Sequence, residues 1–382
     1  MIYSFERKLK IMKNKKKLSK IYTAFVFILT YALTVYYGMC FGEKIKGESV
    51  TTIISSFFIL LIIGEISFFL NIIIHEAGHF FFGLLTGYKF SSFRMLNIMI
   101  IKQNNRLKIK KYSLAGTAGQ CIMIPPSINE NTPYILYNYG GPLFSLFFAI
   151  VFFAIYIHVP QLSYISSFSY CLAVYGIFTF LTNGIPLELF SSNDAMNIIY
   201  IKKDKKYLKY INSQFKTIEL VSEGVRLKDI SDDILFFPNL DNVDNVTVCG
   251  IAENYCEKLI DKHEFDKAEE KINEILNKNT EINSIYKNML IANLIYCKII
   301  KKAPKEEIDS LTTKEYEKFE SKMKNHPSIL RINYAYSLLV ENNLSKANTY
   351  IEKFNKISKT HPYQSEIISE RELIEIAQNL VY

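Results

Sequence analysis

Apolar residues crowd into four long runs before about residue 190, and after that point they recur at helical spacing among charged residues. No charged residue lies between Lys20 and Glu43, enough for one membrane span of ~20 residues. From Val50 to Tyr88 the only ionisable side chains besides Tyr88 are Glu65, His75, Glu76 and His79. Between Glu130 and Glu188 there is no Asp, Glu, Lys or Arg, and Pro160 divides that stretch into two further runs. The pattern predicts a mainly α, multi-pass transmembrane helix bundle with four spans, at about 20–42, 51–86, 135–158 and 162–186. The second run exceeds what one upright span needs, so it is expected to be broken or tilted.

Between the second and third runs the pattern changes. YKFSSFRMLNIMIIK and RLKIKKYSL, separated by QNN, read as two extended segments around a polar turn, a small membrane-associated β-hairpin within segment 87–134. AGTAGQ and CIMIPP then read as Gly- and Pro-rich loops. Residues 200–249 read as a linker, and 250–382 as a soluble all-α domain. Inside that domain YCEKLIDKHEFDKAEEKI, from Tyr255, recurs as YAYSLLVENNLSKANTYI, from Tyr334. Leu259, Ala268 and Ile272 match Leu338, Ala347 and Ile351 at a constant offset of 79, the mark of a repeated helical hairpin. Such a tail suits a protein partner.

Charge sets the expected topology. Residues 1–20 hold eight Lys/Arg against Glu6, and 87–134 hold seven against Glu130, whereas 43–50 is balanced. The positive-inside rule puts both termini and segment 87–134 in the cytoplasm of a cell-membrane protein. No small-residue cleavage site follows the first apolar run, so it is read as a span and not as a cleaved leader. The net charge of +8 belongs to the membrane half: residues 1–199 carry 17 Lys/Arg and 8 Asp/Glu, residues 200–382 carry 28 and 29. That excess faces the lipid bilayer and gives no case for nucleic acid. The six cysteines show no CxxC spacing, which argues against a disulfide framework or a Cys₄ zinc site.

The candidate chemistry is HEAGH, residues 75–79, inside the second apolar run. On a helix His75 and His79 project from one face and can share a Zn²⁺, while Glu76 stands about 60–100° round from them, beside the metal. There it can act as general base toward a zinc-activated water. Ionisable groups in a span are costly and usually functional. Glu65 returns to nearly the same face about 16 Å away; it reads as a polar contact to a neighbouring span or as the lining of a water path. His158 reads as interfacial, and His263, His326 and His361 as surface histidines. Two histidines leave a catalytic zinc one protein ligand short. The end of the fourth run, TNGIPLELFSSNDAMN, offers Asn183, Pro186, Glu188 and Asp194, so either carboxylate can complete the site.

Here the chain resembles the site-2 protease family of intramembrane zinc metalloproteases, in which an HExxH helix is completed by an Asp from a later span within an Asn-x-x-Pro…Asp-Gly pattern. HEAGH matches in full, and Asn183 and Pro186 match the Asn-x-x-Pro. The resemblance implies Asp194 as third ligand, although the spacer is longer than in many members and Ala195 stands where Gly is usual. It also implies that segment 87–134 receives substrate as an added strand, and that GGPLFS, residues 140–145, corresponds to the family's Gly-Pro segment. The tail resembles tetratricopeptide repeats. The function expected is hydrolysis of transmembrane or membrane-embedded peptide substrates, with His75, His79 and Asp194 on Zn²⁺, Glu76 catalytic and Asn183 donating a hydrogen bond to substrate. The alternative is a catalytically weak or inactive protease-like scaffold whose helical tail recruits partners.

Overall fold

The computed structural model describes residues 2–112, 118–127, 131–187, 192–278 and 281–381, with side chains of the first helix from Lys17 onward. The chain is mainly helical, and among the described residues four helices are long and apolar enough to cross a membrane: α1 (Ile2–Lys44, over Lys17–Lys44), α2 (Val50–Leu85), α3 (Ile135–His158) and α4 (Tyr164–Gly184). Their bounds lie within a few residues of the four predicted runs. The second run is one continuous helix of 36 residues. At 1.5 Å per residue it is about 54 Å long against a hydrocarbon core of ~30 Å, so it must tilt or project beyond it.

Burial on α2 is inverted relative to a soluble helix. Its buried residues are Ser56, Ser67, Asn71, His75, Glu76, Gly78, His79 and Gly83, while Ile54, Phe58, Leu61, Ile62 and Ile66 are exposed. Lipid explains this: apolar side chains gain nothing by hiding from it, and polar groups turn inward to one another. Accordingly Asn71 donates to Leu172 O on α4 at 3.2 Å, Ser56 bonds the Tyr164 hydroxyl at 2.9 Å, and Tyr37 bonds Ser166 at 3.0 Å. At the α2–α3 crossing the backbones touch: a Cβ on Gly78 would lie 2.3 Å from Gly140 O. Glycine is therefore required at this contact.

Between α2 and α3 run β1 (Lys89–Met95), β2 (Ile98–Gln103), β3 (Arg106–Lys111) and β4 (Gly119–Ile124); β1 pairs with β4 and β2 with β3, both antiparallel. The first extended run breaks in two at Leu96, which takes φ +53°. β2 and β3 pair from Ile98↔Lys111 to Gln103↔Arg106 around Asn104 and Asn105, both with positive φ; Asn tolerates that conformation in tight hairpins. β4 arises where loops were expected. Its Cys121, Ile122 and Met123 are buried and pair with β1 across Phe93↔Cys121, so burial overrode the flanking Gly and Pro signals.

The remaining helices are α5 (Asp194–Lys203), α6 (Lys206–Ser222), α7 (Val246–Asp261), α8 (Phe265–Leu276), α9 (Ser284–Ile300), α10 (Lys305–Asp309), α11 (Lys314–Lys322), α12 (Pro327–Ala335), α13 (Leu344–Ser358) and α14 (Gln364–Asn379). The chain divides into two compact units: Met1–Leu96 with Ala115–Leu208, and Asn97–Leu114 with Lys209–Tyr382.

In the second unit both copies of the repeated sequence form helical hairpins, α7–α8 and α12–α13, with Ala268 and Ala347 fully buried. Its interior is unusually polar. Arg331 on α12, 2% exposed, contacts Glu370 on α14 (Nε–Oε2 3.1 Å), donates to Asn293 on α9 at 3.2 Å and stacks on Tyr296. His361, expected at the surface, is buried against the rings of Tyr112 and Tyr363, and His326 is half-buried with Nδ1 2.8 Å from Ser328 Oγ. Nothing in their spacing signalled this, because both lie in turns whose burial is set by distant parts of the chain.

Candidate metal centre

α2 is a strong helix for local reasons. It is capped by Ser49, whose side chain accepts from Thr52 N, and no proline interrupts it. Its regularity carries His75 and His79 onto one face, with ring centroids 4.9 Å apart and Nε2 atoms 3.3 Å apart. The third group arrives from beyond α4. Asp194 is the first residue of α5, and its Oδ2 lies 3.2 Å from His75 Nε2 and 3.4 Å from His79 Nε2. Glu188, the rival carboxylate, falls outside the described residues.

Three ligand atoms thus form a nearly equilateral triangle with edges of 3.2–3.4 Å. Bonds of ~2.0–2.1 Å in a tetrahedron put ligand atoms about 3.3–3.4 Å apart, so the set fits Zn²⁺ with a fourth position left over. Two further observations agree. Asp194 Oδ2 is buried yet makes no hydrogen bond of acceptable geometry, an orphan that a cation would satisfy. A Cβ on Gly141 would fall 2.5 Å from His79 Nε2 and 2.8 Å from His75 Nε2, so the absence of a side chain there leaves the ligand atoms open.

Glu76 is buried on the same helix, within electrostatic reach of both histidines and Asp194, and the backbone of Cys121 on β4 faces its carboxylate. A Cβ on Gly119 would lie 2.9 Å from Glu76 Oε1, so strand β4 runs directly past the candidate base. Asn183 sits at the end of α4 with its amide nitrogen turned onto its own helix, 3.1 Å from Thr179 O. Glu65 is exposed on α2, makes no hydrogen bond or ion pair among the described residues, and has Tyr175 as its polar neighbour.

Several residues that shape this centre were not assigned a role at it from the sequence. Asn193 caps α5 by accepting from Met196 N at 3.0 Å, accepts from Leu187 N at 3.1 Å, and donates to Thr182 O and Ile185 O at 2.7 and 2.6 Å. It pins the segment after Pro186 to the start of α5, and so holds Asp194 in place. The Tyr137 carbonyl lies 2.8 Å from His79 Nδ1, and Ser145 Oγ lies 3.2 Å from His75 Nδ1. A lone hydroxyl in an apolar run and a second Asn in a polar turn are the hints available.

Neither the curated proteins nor the solved structures gave a match. The model of peptidase family M50 matches residues 63–278, more than half of the chain, from within α2 past α5 to the end of α8. The chain belongs to peptidase family M50, the site-2 protease family.

Proposed function

We propose that this protein is a membrane-embedded zinc endopeptidase that hydrolyses peptide bonds of transmembrane or membrane-associated substrates. The observation that carries this reading is the triangle of His75 Nε2, His79 Nε2 and Asp194 Oδ2, set among helices whose outer surfaces are apolar. These three residues would hold Zn²⁺, which supplies Lewis-acid activation of water and polarisation of the scissile carbonyl. Glu76 takes the proton of the attacking water and delivers it to the leaving amine nitrogen. Its burial beside β4 excludes bulk water from that transfer. β4 offers backbone to an unwound substrate segment, which a membrane helix must provide before its amides can be reached. Asn183 is the candidate donor to the substrate backbone, exchanging its bond to Thr179 O for the substrate carbonyl. Both termini are proposed to be cytoplasmic, from the basic residues that flank the first span and populate the sheet segment, and the helical tail is proposed to dock a substrate or regulator. The alternative of an inactive scaffold gains no support from the site, since a purely structural metal centre has no use for Glu76.

The test is a comparison of membrane protein fragments in cells carrying the wild type or Glu76→Gln. The variant should keep its metal, because the ligands remain, and lose cleavage by about 10²–10⁴-fold, the usual contribution of a general base. Full cleavage by Glu76→Gln rules the mechanism out.

A further inference from the structure

We infer that Ser145 on α3 is a positioning residue for the metal ligand His75, fixing both the tautomer and the orientation of its ring; this rests on the metal reading above. Ser145 Oγ stands 3.2 Å from His75 Nδ1 and 3.0 Å from Gly141 O. The carbonyl can only accept and the hydroxyl has one proton, so the hydroxyl donates to Gly141 O and accepts from His75 Nδ1–H. The proton of the neutral ring is thereby held on Nδ1, and the Nε2 lone pair is left facing His79 Nε2 and Asp194 Oδ2. Ser145 is fully buried, so no water competes for either bond.

The two histidines are held by different devices. His79 Nδ1 faces the Tyr137 carbonyl at 2.8 Å, an acceptor that belongs to the backbone and that no side-chain substitution removes. His75 depends on a side chain. Gly141 and Ser145 lie one helical turn apart on α3, the first leaving room at the ligand nitrogens and the second aiming one of them. The short small-residue segment that opens α3 therefore builds the centre as well as packing the helices. A partner on the second ring nitrogen fixes a ligating histidine and raises its basicity, and its loss typically lowers metal affinity 10- to 100-fold.

The experiment uses the purified full chain in detergent. Zinc affinity is measured by chelator competition, and the ligand field by the visible absorption of the Co²⁺-substituted protein. Ser145→Ala, smaller than the residue it replaces, should weaken zinc by about 10- to 100-fold and alter the cobalt bands. Ser167→Ala removes an equally buried hydroxyl, one bonded to Tyr37 on α1, and should change neither. Wild-type affinity and an unaltered cobalt spectrum in Ser145→Ala overturn the assignment while leaving the metal reading intact. Equal losses in both variants overturn it too, since they would trace to a loosened bundle. A wild-type chain that takes up no zinc removes the metal reading and this inference together.

Discussion

At the scale of single residues the site depends on which carboxylate reaches the histidine pair. Asp194 Oδ2 lies within 3.4 Å of both Nε2 atoms, and two imidazoles alone would leave zinc with too many open positions to hold it tightly. Asp194→Ala should therefore lower zinc affinity and abolish hydrolysis, with metal content and peptide cleavage measured on the same sample. Glu188→Ala should leave both largely intact. The reverse outcome, with zinc lost only in Glu188→Ala, would shift the ligand assignment by six residues.

At the scale of elements, the sequence located the spans within a few residues because their signal is a run of ~20 apolar positions, which needs no tertiary partner to be recognised. The proposed orientation rests on the basic residues beside the first span and in segment 87–134. With cytoplasmic termini, cysteines introduced at Lys46 and Gln161 should react with an impermeant thiol reagent added outside intact cells, and those at Lys108 and Lys205 should not. Labelling at Lys108 from outside would invert the charge argument. The sheet was less legible. β2 and β3 follow from alternation around Asn104–Asn105, whereas β4 was hidden because GQCIMI shows no alternation and is flanked by loop formers. Its identity as a strand comes from pairing with β1, a contact 24 to 35 residues away along the chain.

At the scale of the whole molecule, stability should depend on pH through the polar interior of the second unit. Burial lifts Glu370 to about 7, against the lowering effect of Arg331 and with the raising effect of Glu257 and Asp261. Burial also raises Glu253, Glu257 and Glu366, which crowd one another from α7 and α14 around Arg331 of α12. An acid whose folded-state pKa is raised binds more protons folded than unfolded, so stability is present at low pH and is lost as pH rises from the ordinary carboxylate range through about 7. His326, held down to about 4 by burial and by the His361 and Arg331 charges, acts oppositely, adding stability as pH rises from 4 towards 6.5. His361, lowered chiefly by burial, acts in the same sense; the contribution of both imidazoles levels off above about pH 7, where the raised carboxyls set the sign. The second unit should be less stable at pH 8 than at pH 7, read as faster intrinsic-rate-corrected amide exchange in α7 and α14. Glu370→Gln should flatten the slope, and a rise in protection toward pH 8 would refute it.

The chain by itself determined the four spans, the helical tail and the HEAGH pair, because each is encoded by neighbours at a fixed period, 3.6 residues per turn or a continuous apolar run. It also named Asp194, but only through resemblance, since no local rule says which carboxylate beyond a proline will return to a given helix face. Tertiary structure decided the rest. The Asn193 bonds that seat Asp194, the open space at Gly141, the Ser145 hydroxyl behind His75 and the passage of β4 beside Glu76 join residues 3 to 70 positions apart. Their distances follow from how helices cross and strands pair. A sequence pattern records which residues are available, and only the packing of the elements sets the few ångströms that make them a site.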